Sequence, residues 1–424
     1  MEHSFDTKCV QGGWSPSKSG EPRVLPLYQS TTYYYENGED MAYIFDHPAE
    51  NHLYTRISNP TTACLESKVA ALEGGVAALA CSSGQAAATT AILAVCEAGD
   101  NIVSAGTIYG GTYNLFNVSL PRIGIKTRFF NQDAPAAEIE KLIDANTKMI
   151  FAESISNPAM AVLDIEKLAK IAKKHGVLLV IDNTLTTPYI FKPVKYGANI
   201  CVHSTTKYMD GHASSVGGMI VDMGNFNFLD NPRYKSFNTP DPSYKGVVFA
   251  RNVGNLGFIF KARAQIMRDM GMCISPFNAY LTNMGLETLH LRMKRHSDNA
   301  LAIAKFLKPH KNVDWVCYPG LSGDKYNALA KKYFENGCCT GMLTFGAKGG
   351  RGGAQKFLGK LKLFCCATHI ADARSMALHP ATTTHRQLSD ADLIVAGVRP
   401  EMIRLSAGIE DENDLIADIK QALQ

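Results

Sequence analysis

Between residues 61 and 260, short apolar runs alternate with longer segments in which apolar positions recur every three or four residues. The apolar runs, which predict buried β-strands, lie at residues 76–81, 101–104, 125–130, 149–152, 177–181 and 200–203. The segments with the helical period, which predict α-helices, lie at residues 62–72, 86–96 and 164–175. This alternation predicts an α/β fold with a mainly parallel sheet.

The pattern changes on both sides of this region. Residues 1–60 are rich in aromatic and turn-forming residues and have little helical period, so we expect an extended arm that lies against a neighbouring subunit. Residues 223–250 predict a long surface loop. Residues 261–424 begin with helix-like stretches and then mix strand-like and helix-like runs, which predicts a smaller C-terminal α+β domain. The predicted organisation is therefore an arm over 1–60, an α/β domain over 61–260 and an α+β domain over 261–424.

Composition excludes several classes of protein. The chain has 424 residues, and its net charge of +4 comes from 43 basic and 39 acidic residues, which is too small a balance to favour nucleic acid. No run of about 18 apolar residues predicts a membrane span. The first fifteen residues lack the apolar run of a secretory signal, so we expect a cytoplasmic protein.

The cysteines give no sign of a metal site. There are eleven, and the adjacent pairs Cys338-Cys339 and Cys365-Cys366 lack the Cys-x-x-Cys spacing of zinc sites. We expect reduced, mostly buried thiols and no bound metal.

Candidate chemistry lies at the ends of the predicted strands. The segment Ser204-Thr205-Thr206-Lys207 directly follows strand 200–203, and hydroxyl groups beside one lysine suit a phosphate and an aldehyde. Asp182 ends another strand, where it could stay ionised beside a pyridinium nitrogen. Each segment taken alone also fits an ordinary polar turn or cap.

A third segment, Cys81-Ser82-Ser83-Gly84-Gln85, lies between a predicted strand and an Ala-rich helix. Small residues there let the backbone approach a ligand, and the N-terminus of the helix offers N–H groups to a phosphate. The segment has neither the Gly-x-Gly-x-x-Gly of dinucleotide-binding folds nor the ending of a P-loop, which argues against NAD and ATP. A plain strand-to-helix turn remains the alternative.

Together these segments resemble the pyridoxal-phosphate enzymes of the Cys/Met metabolism family. Ser83-Gly84, Asp182 and Lys207 match that family in order and spacing, and residues 203–208 look like its lysine signature. Residues 54–61 resemble its N-terminal motif, and residues 404–410 resemble its C-terminal motif. The resemblance covers nearly the whole chain and implies the fold type I transferase architecture, with residues 61–260 binding pyridoxal 5'-phosphate.

The resemblance also implies a role for individual residues. Lys207 would bind the cofactor covalently, Asp182 would face the pyridine nitrogen, and Tyr109 would stack on the ring and assist the leaving group. The phosphate would be held by Ser83, Gly84, Gln85, Ser204 and Thr206, with Tyr54 and Arg56 reaching it from a neighbouring subunit. The substrate carboxylate would be bound by Asn157 and Arg404, with His369 beside it. A shared site implies at least a dimer, and relatives are usually homotetramers.

Two features point to one branch of the family, which exchanges the acyloxy group of an O-acylated homoserine for sulfide or a thiol. Methionine-degrading γ-lyases resemble one another in having a cysteine where this chain has Gly111, and shorter members lack the insertion at residues 240–244. The segment 379–385 also resembles this branch. A γ-lyase or a cystathionine γ-synthase is the main alternative. A binding protein without turnover and a nicotinamide dehydrogenase are the more distant ones.

One position departs from the family pattern. His369 stands where relatives commonly have Ser or Asn, and Ala371 stands where they have Gly. The histidine puts the details of substrate binding in doubt, and a polar residue that only lines the pocket is the alternative.

Overall fold

The computed structural model describes residues 3–46, 51–384, 386, 393 and 397–424. Its strands form two sheets, one of seven strands and one of five. The strands of the larger sheet are β1 (Ala77–Cys81), β2 (Asn101–Ala105), β3 (Lys126–Phe130), β4 (Thr147–Glu153), β5 (Leu178–Asp182), β6 (Ile200–His203) and β7 (Gly218–Asp222). Those of the smaller sheet are β8 (Val313–Cys317), β9 (Met342–Ala347), β10 (Cys365–Cys366), β11 (Met376–Leu378) and β12 (Met402–Ser406).

The larger sheet has the order β1-β7-β6-β5-β4-β2-β3. Every neighbouring pair is parallel except the two pairs that β7 makes, which are antiparallel. All residues of β2, β6 and β7 are buried, as expected of strands covered on both faces by helices. The predicted α/β fold with a mainly parallel sheet is confirmed.

The helices of the N-terminal half are α1 (Phe5–Gln11), α2 (Gly38–Asp46), α3 (Pro60–Glu73), α4 (Gly84–Leu93), α5 (Gly110–Asn114), α6 (Ala136–Glu140), α7 (Ile165–His175) and α8 (Thr187–Ile190). The sequence defines the ends of α3 clearly. The Asn59 side chain accepts a hydrogen bond from the backbone N–H of Thr61, Pro60 occupies the first turn, and Gly74 ends the helix in the left-handed conformation.

The helices of the C-terminal half are α9 (Lys235–Asn238), α10 (Phe249–Asn252), α11 (Gly257–Lys261), α12 (Arg268–Met270), α13 (Pro276–Glu287), α14 (Leu289–Leu307), α15 (Asn327–Tyr333), α16 (Gly350–Lys360) and α17 (Glu412–Ala422). The smaller sheet has the order β10-β11-β12-β9-β8 and is antiparallel except for the pair β10-β11.

The structure differs from the sequence prediction in three places. Residues 1–60 include the helices α1 and α2, and α1 buries Cys9. Strand β7 was not predicted. Residues 223–250 are not a simple surface loop, because Phe228, Tyr234 and Phe237 are buried and their rings pack on one another. Burial of these aromatic rings anchors the segment to the large sheet. The division into domains at residues 60 and 260 remains a prediction.

All eleven cysteines are free thiols, and seven are buried, whereas Cys365 and Cys366 are exposed. Among the helices described, none has both the length and the apolar character needed to cross a membrane.

Candidate active site

The carboxyl ends of the parallel strands meet at one edge of the larger sheet, where a cavity of about 470 Å³ opens. The turns after β1, β2, β4, β5 and β6 contribute side chains to it, and the smaller sheet covers it from the other side. Eleven residues selected from the sequence line this cavity: Ser83, Gly84, Gln85, Tyr109, Asn157, Asp182, Ser204, Thr206, Lys207, His369 and Arg404.

The N-terminus of α4 forms one end of the cavity. Ser83 caps the helix, with its Oγ accepting a hydrogen bond from the backbone N–H of Ala86 at 3.0 Å. A Cβ added at Gly84 would lie 2.7 Å from Cβ of Ser204, so only glycine allows the two turns to approach this closely. The Thr206 hydroxyl donates to the carbonyl oxygen of Gly217 at 3.1 Å. Backbone N–H groups and hydroxyls are thus concentrated at one point.

The Lys207 side chain is partly buried. Burial, together with the nearby positive charge of Arg404, lowers its pKa from 10.5 to about 8. Its Nζ lies 3.1 Å from Nδ1 of His369. Burial, followed by the charge of Lys207, lowers the pKa of His369 to about 4, so its ring is neutral near pH 7 and can accept this hydrogen bond.

Two carboxylates lie side by side at the ends of β4 and β5, where Glu153 and Asp182 are register partners. Burial raises the pKa of both, and the charge of Asp182 raises that of Glu153 further. The side chain and backbone N–H of Thr184 act in the opposite direction on Asp182. The pKa of Glu153 is raised more than that of Asp182, so Asp182 is the carboxyl that ionises more readily.

Arg404 lies on β12 and is 7% exposed. Its Nη1 donates to Oδ1 of Asn157 at 3.3 Å, and its Nη2 donates to the carbonyl oxygens of Thr368 and His369. Among the residues that the structure describes, no carboxylate forms an ion pair with it. A buried guanidinium without a carboxylate partner can receive the carboxylate of a ligand.

Tyr109 caps α5, and its backbone N–H donates to Oε1 of Glu153 at 2.6 Å. Its ring is 52% exposed and forms a wall of the cavity. A Cβ added at Gly111 would lie 2.6 Å from Cε1 of this ring. Gly111 therefore makes room for the Tyr109 ring, rather than leaving an open space as its lack of a side chain would suggest.

Tyr54 and Arg56 do not line the cavity of their own chain. Tyr54 is exposed, the guanidinium of Arg56 lies 5.4 Å from the centroid of its ring, and Arg56 donates to the carbonyl oxygen of Arg268. Their predicted role in a neighbouring subunit stays a prediction.

The residues present fit pyridoxal 5'-phosphate. The close approach of Gly84 to Ser204 forms a cradle that a Cβ would fill, and helix-terminal N–H groups with hydroxyls suit a phosphate. The same cavity is also lined by the amine of Lys207, the aromatic ring of Tyr109 and the carboxylate of Asp182. These are the groups that an aldehyde, a pyridine ring and a ring nitrogen require.

Sequence reasoning missed Glu153, Thr184, Thr112 and Leu185, which also line the cavity. Glu153 carried a signal, since it ends a buried strand and lies four residues before Asn157. Thr184 holds the turn that carries Lys207, because its Oγ1 accepts the backbone N–H of Ser204 at 2.8 Å.

Comparisons with known proteins agree with this geometry. The family model described as "Cys/Met metabolism PLP-dependent enzyme" matches residues 6–424. O-acetyl-L-homoserine sulfhydrylase of Leptospira meyeri is 46% identical over 99% of this chain and 96% of its own length. Homocysteine synthase of Schizosaccharomyces pombe is 44% identical over 100% of this chain and 98% of its own length.

A solved structure is similar throughout. It is a crystal structure of a provisionally named O-acetylhomoserine (thiol)-lyase from Campylobacter jejuni that contains N'-pyridoxyl-lysine-5'-monophosphate. It superposes with a TM-score of 0.94 at 39% identity, and covers 99% of this chain and 100% of its own. The chain therefore belongs to the Cys/Met metabolism PLP-dependent enzymes, and pyridoxal 5'-phosphate is its cofactor.

Proposed function

We propose that this protein replaces the acetoxy group of O-acetyl-L-homoserine with sulfide or a thiol. With sulfide the products are homocysteine and acetate, and with methanethiol they are methionine and acetate. The relatives named O-acetyl-L-homoserine sulfhydrylase and homocysteine synthase support this substrate. The observation that carries the proposal is that one cavity contains a lysine amine of lowered pKa and the buried guanidinium of Arg404. Among the described residues this guanidinium has hydrogen-bond acceptors but no carboxylate partner.

Arg404 and Asn157 bind the α-carboxylate of the substrate, since the guanidinium offers a bidentate fork and already contacts the Asn157 amide at 3.3 Å. That contact fixes the position of the α-carbon. His369, whose backbone carbonyl accepts from Arg404 at 3.3 Å, lies beside this carboxylate. The site thus recognises an amino acid by its carboxylate and leaves the γ-substituent facing Tyr109 and Gly111.

When bound, pyridoxal phosphate withdraws electrons from the substrate and stabilises negative charge at its α-carbon. Lys207 would hold the cofactor covalently. Its free amine would take the α-proton at Nζ, and a pKa lowered to about 8 leaves more of this amine neutral near pH 7 than an ordinary lysine has. Tyr109 would stack on the ring and assist the departure of acetate.

The remaining residues position the cofactor. Asp182 would pair with the ring nitrogen, and Glu153, whose pKa is raised more, lies beside it on the neighbouring strand. The phosphate would be held by Ser83, Gly84, Gln85, Ser204 and Thr206, and in an assembled protein by Tyr54 and Arg56 of a neighbouring subunit. This sharing makes the functional unit a homodimer, two of which form a homotetramer in the cytoplasm.

A γ-lyase is the competing function, and Gly111 favours replacement because a lyase of the methionine-degrading kind has a cysteine there. Three parallel assays separate them: O-acetylhomoserine with sulfide, O-acetylhomoserine alone, and methionine alone. We expect rapid homocysteine formation in the first, slow 2-oxobutyrate in the second and little product in the third. Cleavage of methionine as fast as homocysteine forms would overturn the proposal. Replacing the acetyl group by succinyl or phosphate tests the acyl preference.

A further inference from the structure

A fully buried carboxylate lies behind the cofactor site, on the side away from the cavity. Glu73 is the last residue of α3 and has no exposed surface. A carboxylate there is costly, because it is removed from water and lies at the negative end of a helix dipole. Its Oε1 accepts hydrogen bonds from Nε2 of His203 at 2.6 Å and from Nδ2 of Asn183 at 2.9 Å.

The two partners of Glu73 each neighbour a residue of the cofactor site. Asn183 directly follows Asp182, and His203 directly precedes the turn Ser204-Thr205-Thr206-Lys207. Because side chains alternate along a strand, both partners point away from the face to which Asp182 points. One carboxylate thus ties together the ends of two neighbouring strands, β5 and β6, that carry the lysine turn and the aspartate.

The contact continues into a buried polar network. Oδ1 of Asn183 accepts from Oγ1 of Thr186 at 2.5 Å, and Thr186 Oγ1 also lies 2.8 Å from Oγ of Ser154, which follows Glu153. The ends of β4, β5 and β6 are therefore joined by side chains that are at most 2% exposed. Among the described residues, Oε2 of Glu73 and Nδ1 of His203 have no hydrogen-bond partner, so Oε1 alone makes both contacts of the carboxylate. The hydrogen bonds that are made hold the three strand ends in fixed relative positions.

We propose that Glu73 is a positioning residue for the cofactor site, acting through His203 and Asn183 to hold Asp182 at a fixed separation from the turn that carries Ser204 and Lys207. The proposal rests on the assignment of Asp182 and Lys207 to the cofactor. His203 also acts electrostatically to lower the pKa of Asp182, against the effect of burial, and so favours the anion that would pair with a protonated ring nitrogen.

The test compares Glu73→Gln with a matched control, Asp222→Asn. Asp222 is also a buried carboxylate of this sheet. It lies on β7 opposite Ile200, at the end of β6 that is far from the lysine turn. Three readouts need no substrate: the dissociation constant of pyridoxal phosphate from the apoenzyme, the pH midpoint of the visible absorbance band of the bound cofactor, and the midpoint of thermal unfolding.

For Glu73→Gln we expect the dissociation constant of pyridoxal phosphate to rise about tenfold or more, as for a lost charged hydrogen bond. We also expect the pH midpoint of the visible absorbance band to shift. Asp222→Asn should leave both cofactor readouts unchanged. The proposal would be overturned if Glu73→Gln lost thermal stability but kept the cofactor dissociation constant within twofold of the parent and the band midpoint at the same pH.

If Glu73→Gln does not fold, His203→Leu decides the question with the same criteria, because it removes the donor toward Glu73 and keeps a side chain of moderate size. A wild-type protein that binds the cofactor but makes no homocysteine would refute the proposed reaction and leave this test intact.

Discussion

Nζ of Lys207 lies 3.1 Å from Nδ1 of His369, which brings the end of β6 in the larger sheet into direct contact with the loop between β10 and β11 of the smaller one. The lysine was identifiable from the sequence by its position after a strand. Its partner is a histidine at a position where relatives commonly have a hydroxyl or an amide.

The free amine of Lys207 should titrate well below an ordinary lysine. Only the neutral amine bonds to an aldehyde, and burial together with Arg404 lowers its pKa from 10.5 to about 8. The rate at which the apoenzyme takes up pyridoxal phosphate should therefore rise as the pH increases, with its midpoint at about pH 8. Stopped-flow absorbance over pH 6 to 10 gives the midpoint, and a midpoint near that of free lysine would contradict the assignment.

His369→Ala should slow turnover about fivefold, because it leaves the Lys207 amine without the acceptor that orients it, and a single hydrogen bond contributes about 1 kcal/mol. His369→Asn should retain more activity, since an amide oxygen can replace Nδ1. We expect kcat to change more than KM in both. Equal activity of the two variants would mean that His369 only lines the cavity.

Gly111→Ala should impair turnover although it adds only one methyl group. The new Cβ would lie 2.6 Å from the Tyr109 ring, which must move, and a misplacement of about 1 Å at a reacting group can cost on the order of a hundredfold. Gly106→Ala is the matched control, because its Cβ would meet only the Phe130 carbonyl oxygen at 3.5 Å. Comparable losses in both variants would contradict a specific role of Gly111.

His296 should make the protein less stable in mild acid. Its ring is fully buried, donates from Nδ1 to the Ala407 carbonyl oxygen and contacts Tyr208 edge-on, and burial lowers its pKa from 6.5 to about 4. Between these values the unfolded chain binds the proton and the folded chain does not. The stability contributed by the neutral ring is thus complete above pH 6.5 and is lost as the pH falls toward 4, by about 3 kcal/mol in total.

Urea unfolding of the wild type and of His296→Gln at several pH values measures this contribution. The free energy of unfolding should fall more steeply with acid in the wild type than in the variant. Parallel curves between pH 4 and 6.5 would show that His296 is not the responsible group.

A subunit mixing experiment tests the shared site. Arg56→Ala and Lys207→Ala should each be nearly inactive, but a hybrid of the two contains one site with both residues intact. Mixing under conditions where labelled subunits exchange should restore part of the activity. Exchange without any recovery would show that Arg56 does not act in a neighbouring subunit.

The family, the fold class and most of the residues that line the cavity could be predicted from the sequence. Strand ends are visible as apolar runs followed by polar residues, and parallel strands must bring such ends to one edge, so Ser83, Asp182 and Lys207 could be placed together before any coordinates. Arg404 and His369, by contrast, joined the site only through the family resemblance, because they lie about 160 to 200 residues further along the chain and no local pattern links them to Lys207.

The residues that these side chains contact could not be predicted from the sequence and are known from the tertiary structure. The Glu73–His203 pair joins residues 130 positions apart, and the pair Glu153–Asp182 depends on the register of two strands. Gly111 is an example at short range, since no sequence pattern shows that the Tyr109 ring occupies the space that a side chain would fill. Hydrophobic patterning specifies which elements form, whereas side-chain packing and the desolvation of charges, which set these contacts, arise only once the elements are assembled.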